Sequence, residues 1–167
     1  MSNNLIQELK KRRSVRKYEN KPVERKLIEE IIQAGKYAPS ATNKQPWRFI
    51  VITKKEMIDE IGNVIKNEIK NVLKRRFILK YKYPSLKNDK AVQLLAATAL
   101  SKKDMLFFNA PVLIFILSEN KRFYNESCAC CAQNMMLAAH FLGVGSCWIG
   151  LAHFIELNKE YMKKIGV

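Results

Sequence analysis

Apolar residues recur at helical spacing along several stretches of the chain and run without interruption in two short ones, with small or polar residues between. Leu5, Ile6 and Leu9 give a first helix one stripe that ends before Arg12. A second helix is predicted over about residues 23–36, with Leu27, Ile31, Ile32 and Ala34 in phase, Pro22 suited to its first turn and Gly35 near its end. Residues 54–74 read as a third, placing Met57, Ile58, Ile61, Val64, Ile65, Ile69, Val72 and Leu73 on one broad face opposite a mostly cationic one. Alanine-rich residues 91–106 predict another. Residues 125–142 predict a helix that is apolar nearly all round, with Cys128, Ala132, Met135, Met136, Leu137, Ala138, Ala139 and Phe141. Such a helix has to be buried on every side, which in one small domain points to a subunit interface. The continuous apolar run 49–52 predicts a strand covered on both faces, and residues 110–117 predict a second strand. The sum is a single α+β domain.

Between the second helix and the first strand lies the run Pro39-Ser40-Ala41-Thr42-Asn43-Lys44-Gln45-Pro46-Trp47. The residue before Pro39 is pushed out of the helical region, and no bulky apolar group follows until Trp47. Ser40, Thr42, Asn43 and Gln45 offer hydroxyls and two primary amides, which can donate to and accept from a flat heteroaromatic ring. The same composition also suits an ordinary helix-to-strand turn. Near the other end, Gly143 is placed to cap a helix, and Gly143-Val144-Gly145 lets the chain turn sharply into residues 146–150. Residues 75–88 lose periodicity, and Tyr83-Pro84-Ser85 marks a loop that is either a basic, aromatic lid or a surface excursion.

With 167 residues the chain is long enough for one real core and not for two. No apolar run reaches the roughly 18 to 20 residues of a membrane span, and Met1-Ser2-Asn3-Asn4 leads into the first helix without a hydrophobic signal region. A cytoplasmic protein with no membrane partner is expected. The formal net charge of +15 first suggests nucleic acid. Yet the basic residues are scattered, and aromatic residues interleave with them only at Phe77, Tyr81 and Tyr83. A solvated basic surface that attracts phosphate-bearing cofactors accounts for the charge better than a dedicated nucleic-acid module. Cys128, Cys130, Cys131 and Cys147 do not have the paired spacing of zinc or iron–sulfur ligands, so no metal is expected and the thiols read as free. There is no G-x-G-x-x-G, so a nicotinamide nucleotide has no dinucleotide site of its own.

The complete P-S-x-x-N-x-Q-P-W pattern at Pro39, Ser40, Asn43, Gln45, Pro46 and Trp47 resembles the nitroreductase family of FMN-dependent oxidoreductases. Arg12-Arg13-Ser14-Val15-Arg16 and Leu142-Gly143-Val144-Gly145-Ser146-Cys147-Trp148-Ile149-Gly150 agree with the same family in order and spacing. The resemblance implies a nitroreductase-like α+β fold over residues 1–167, with a central, mainly antiparallel sheet flanked by helices and an intertwined homodimer. It implies FMN as cofactor and NADH or NADPH as reductant. It also implies a nitroaromatic, quinone or similar small molecule as acceptor. Arg12, Arg13, Ser14 and Arg16 would meet the phosphate and ribityl chain. Pro39, Ser40, Ala41, Asn43 and Gln45 would lie against the ring held mainly by the other subunit, and Trp148, Ile149 and Gly150 beside its opposite side. No side-chain base is needed, so His140 and His153 receive no catalytic role. Family members continue past Ile165-Gly166-Val167 into a further strand and a basic segment, so a C-terminally short member with weakened phosphate binding is expected. A flavin-binding member without efficient turnover, and the basic nucleic-acid module, stay as alternatives.

Overall fold

Helical and extended segments form largely where the periodicity puts them. The computed structural model describes residues 5–81 and 83–167; Met1–Asn4 and Lys82 lie outside the described residues, and with them the expected lead into the first helix. In chain order the elements are α1 (Leu5–Lys11), α2 (Arg25–Lys36), β1 (Arg48–Ile52), α3 (Lys55–Lys74), α4 (Arg76–Leu79), α5 (Asp89–Leu100), β2 (Leu113–Leu117), α6 (Tyr124–Phe141) and α7 (Lys159–Lys164). Short 3-10 segments occur at Ala41–Asn43, Pro84–Lys87 and Gly150–Leu157. The chain divides into two compact units, residues 5–54 with 110–148 and residues 55–109 with 149–167.

The first unit is organised by α2 against α6. Along α6, Ser127, Cys131, Met135 and Ala139 recur every fourth residue and form its buried stripe. Ile31 of α2, Ala38 and Trp47 complete that core, with Phe49, Ile114 and Ile116 of the sheet packed on it. Gly35 sets the separation of the helices, because a methyl group there would meet Met135 Cγ at 2.6 Å and Cys131 Sγ at 3.0 Å. Asn134 Nδ2 also donates to Ala34 O across the pair at 3.3 Å. β1 and β2 pair antiparallel, with Arg48 opposite Leu117 and Ile52 opposite Leu113. In the single chain neither apolar element is covered on all sides. Val51 of β1 is 39% exposed and Phe141 of α6 46% exposed, whereas the sequence pattern predicts full burial of both elements.

The second unit is built on α3, whose Ile58, Ile61, Ile65 and Ile69 are sealed from solvent. Leu95, Thr98 and Ala99 of α5 and Ile155 of the 150–157 segment also lie in the interior. Asn158 caps α7 by accepting from Tyr161 N at 3.0 Å and donates from Nδ2 to Glu68 Oε1 of α3 at 3.2 Å. α5 stops at Leu100, short of the expected 106, because side chains capture the amides that a continuing helix would use. Ser101 Oγ accepts from Lys103 N, and the Asp104 carboxylate accepts from the backbone N–H groups of Leu106, Phe107 and Asn109. Among the described residues no helix is long and apolar enough to cross a membrane.

Gly35→Ala should destabilise the fold by up to about 2 kcal/mol, because overpacking of about 1–3 kcal/mol is offset by a helix-propensity gain of only about 1 kcal/mol. Chemical denaturation of Gly35→Ala, Met135→Ala and the double variant checks this. The double variant should lose less than the sum of the single losses, since shortening Met135 vacates the space that the new methyl needs.

Candidate functional site

The loop after α2 is a braced structure. Ser40 Oγ accepts from Gln45 N at 2.9 Å, Gln45 Nε2 donates to Asn43 Oδ1 at 2.9 Å, and Asn43 N donates to Ser40 O at 3.0 Å. Thr42, Asn43 and Gln45 all take left-handed backbone angles, with φ of 50°, 53° and 46°. That conformation is uncommon outside glycine and is an outlier for a β-branched residue such as Thr42. The strain is held by the internal bonds and by two anchors. Trp47 is buried in the core, and Ala41 N donates to Ser127 Oγ near the start of α6 at 3.3 Å. Asn43 and Gln45 stay exposed, Ser40 and Ala41 half-buried. Among the described residues no hydrogen-bond partner engages Asn43 Nδ2. Beside the loop, Pro39, Ser40, Ala41, Phe123, Glu126, Ser127 and Cys130 line an open groove of about 250 Å³.

At the far end of α6 the structure joins two segments that lie most of the chain apart. Ser14 and Ser146 form an isolated parallel bridge, and Val15 N donates to Ser146 O at 3.0 Å. Gly145 permits the approach, because a Cβ there would lie 3.0–3.1 Å from the Val15 side chain. Tyr18 latches the segment by donating its hydroxyl to Val15 O at 2.8 Å. Burial, and then the neighbouring Cys147, push the Tyr18 phenol up to about 12. Tyr18 was not singled out by sequence reasoning; its only signal is that it is a lone aromatic in a polar, basic stretch.

The arginines of this segment divide by environment. Arg13 turns back on α1 and donates to Lys10 O and Arg12 O, closing that helix's C-terminus. Arg16 is exposed. Arg12 is half-buried, and its Nη1 is sealed from solvent with no hydrogen-bond partner. Trp148 is half-exposed, and among the described residues its N–H and that of Ile149 have no acceptor. Ile149 and Gly150 open the second unit. The loop at 39–45 and the cluster around Ser14 and Ser146 are therefore not brought together within one chain. They attach near opposite ends of α6, and at about 1.5 Å rise per residue positions 127 and 141 stand about 21 Å apart.

The remaining titratable groups are structural. His140 Nε2 lies 3.3 Å from Glu8 Oε2 on α1, and His153 Nδ1 lies 2.9 Å from Glu156 Oε1. The hydrogen bond from Lys11 chiefly, with smaller help from His140, lowers the Glu8 carboxyl. All four cysteines are free. Burial, with a smaller effect of Cys128, pushes the Cys131 thiol up to about 11, and burial also raises Cys128, so neither is an activated nucleophile. Among the described residues no cluster of side chains could hold a metal ion.

The profile of the nitroreductase family matches residues 9–165. The chain belongs to the nitroreductase family. A Bacteroides fragilis nitroreductase crystallised with bound FMN superposes with a TM-score of 0.78 at 28% identity, over 99% of this chain and 81% of that one. The nitrobenzene nitroreductase of Ectopseudomonas oleovorans is 30% identical over 83% of this chain and 70% of its own. A Methanothermobacter thermautotrophicus protein with the provisional name NADH dehydrogenase/NAD(P)H nitroreductase is 29% identical over 88% of this chain. The chain spans 61% of that relative's length. The α+β class and the antiparallel strand pair expected from the sequence are those of this family's fold.

Because the Tyr18 phenol is raised from 10.0 to about 12, the folded protein keeps a proton there that the unfolded chain has released. The Tyr18 contribution to stability is thus fully present below about pH 10 and is lost as pH rises towards about 12. Tyr18→Phe should lose about 1 kcal/mol at neutral pH and show a shallower alkaline decline than the parent. Denaturation midpoints across that pH range measure both effects.

Proposed function

We infer that the chain is an FMN-dependent oxidoreductase, working as a homodimer between NADH or NADPH and a small-molecule acceptor such as a nitroaromatic or quinone. The observation that carries this reading is Arg12. Its Nη1 is a desolvated cationic donor without an acceptor, in a segment fixed on both sides by the Ser146 bridge and the Tyr18 latch. An unpaired buried donor of this kind is destabilising unless an anion satisfies it, and a phosphate monoester does so with a charge-assisted bond. Ser14 and Arg16, two and four residues on, are exposed and could take further phosphate and ribityl oxygens, while Arg13 keeps its place on the end of α1. The residues present fit FMN.

When bound, FMN supplies the hydride chemistry between the nicotinamide nucleotide and the acceptor. The chain's own task is to bind, orient and shield. Trp148, Ile149 and Gly150 offer a flat indole face and backbone N–H donors, which favour electron density accumulating nearby. Pro39, Ser40, Ala41, Asn43 and Gln45 form a pre-set wall with Asn43 Nδ2 available to a ring acceptor. That wall lies near the other end of α6 from Arg12, so a second copy is the natural source of the wall for each phosphate cluster. The uncovered sides of α6 and β1 are the apolar surface such a partner would bury. In this reading residues 1–167 act as one FMN-binding domain in the cytoplasm, where the free thiols are at home. The likeness to the Ectopseudomonas nitrobenzene nitroreductase favours a nitroaromatic acceptor.

Titration of the purified chain with FMN, followed by anaerobic addition of NADH or NADPH, should produce a flavin absorption band that bleaches. Arg12→Gln should raise the FMN Kd by about 10- to 100-fold, corresponding to loss of a charged hydrogen bond of about 1.5–3 kcal/mol. Asn43→Ala should slow bleaching or weaken binding. Flavin that stays with the protein through gel filtration but that neither nucleotide bleaches would identify a flavin-binding member without turnover, and no protein-bound flavin after incubation in excess FMN would refute the assignment.

A further inference from the structure

The proposed cofactor site leaves unused the most basic and most exposed part of the second unit. On the single turn α4 and just after it, Phe77, Ile78 and Tyr81 are 76%, 73% and 74% exposed. Exposed side chains this large are ordinary singly and informative together. Lys74, Arg75, Lys87 and Lys90 surround them in sequence, all exposed and, among the described residues, in no ion pair. The one acid in this stretch is already neutralised, since Asp89 Oδ1 takes a bond from Arg76 Nη2 at 2.8 Å. Arg76 Nε also donates to Leu86 O at 2.9 Å, and Leu86 is buried. The turn is thus tied down at its base while its apolar tip points outward.

We propose that α4 and its flanking cations form a docking surface for a membrane that carries anionic lipid. Three observations select this occupant. Each of the three side chains is about three-quarters exposed, and a bilayer accepts protruding apolar side chains without a complementary mould. A stable protein partner would need about 800 Å² of matched surface on its side. Lys80 Nζ sits 4.3 Å from the Phe77 ring centroid and 5.5 Å from that of Tyr81. An ammonium over both rings obstructs the base stacking by which single-stranded nucleic acid is held, and Ile78 offers no stacking face at all. Finally, exposed apolar and tyrosyl side chains flanked in sequence by exposed Lys74, Arg75, Lys87 and Lys90, with the Lys80 ammonium at the rings, match the interface of an anionic leaflet, where cations meet headgroups and apolar side chains enter the acyl boundary. This departs from the expectation that no membrane is a partner. That expectation rests on the lack of a spanning run, which a surface patch does not need.

The test is flotation of the full chain with vesicles of phosphatidylcholine alone or with about a third phosphatidylserine. Binding should require the anionic lipid and fall steeply as salt rises to about 0.5 M. Phe77→Ser with Ile78→Ser should weaken it by about tenfold or more at unchanged melting temperature and unchanged FMN binding. Lys74→Glu with Arg75→Glu should do the same. Failure to float with anionic vesicles, or equal flotation of the Phe77/Ile78 variant, would overturn the proposal. So would tighter binding to a single-stranded oligonucleotide or to polyglutamate that the Phe77/Ile78 variant loses. Flotation and melting temperature do not depend on the cofactor, so the oxidoreductase reading stands or falls separately.

Discussion

The contact between Gly35 and the Cys131–Met135 face of α6 governs the first unit. Both segments proposed to meet the cofactor hang from this helix pair. α2 delivers the chain into the 39–45 loop, and α6 delivers it into the glycine turn at 143–145. With a larger residue at 35 the helices would separate, Trp47 would lose its bed between Ala38 and Met135, and the Ala41–Ser127 bond would lengthen. A few tenths of an ångström there are transmitted directly, because a close-packed interior has no slack to absorb them.

Much of this was legible in the sequence, for identifiable reasons. α3 announces itself because four isoleucines repeat at three- and four-residue intervals, and the structure seals those same four. The 39–47 motif was legible as a unit because nearly every residue in it has a local task, whether bonding its neighbours or anchoring in the core. Other features depend on partners far away in sequence. Nothing local says that Gly145 must admit Val15, that Tyr18 reaches back to Val15 O, or that Asp104 gathers three amides and ends α5 early. The apolar character of α6 was legible, but its predicted burial on every side is not met in the single chain, which buries only the Ser127–Ala139 stripe.

The two ends of α6 also behave differently as materials. The 39–45 wall is strained and self-braced, with left-handed residues held by short bonds inside the loop. It needs no ligand to hold its shape, which suits a surface presented to another molecule. The arginine end is relaxed in backbone but electrostatically incomplete, with a buried donor waiting at Arg12. One end supplies shape and the other supplies an unsatisfied charge.

The Ser14–Ser146 bridge ties the N-terminal arm to a segment beyond α6, across nearly the whole chain. Closing so long a loop is entropically unfavourable and is rewarded by one backbone hydrogen bond and a glycine-sized contact, so it belongs among the last contacts to form on folding. In the proposed reading the helical core forms before the arginine end, and an anion captured by Arg12 would bind only the finished arrangement, so that cofactor supply would set how much of the chain reaches its mature form.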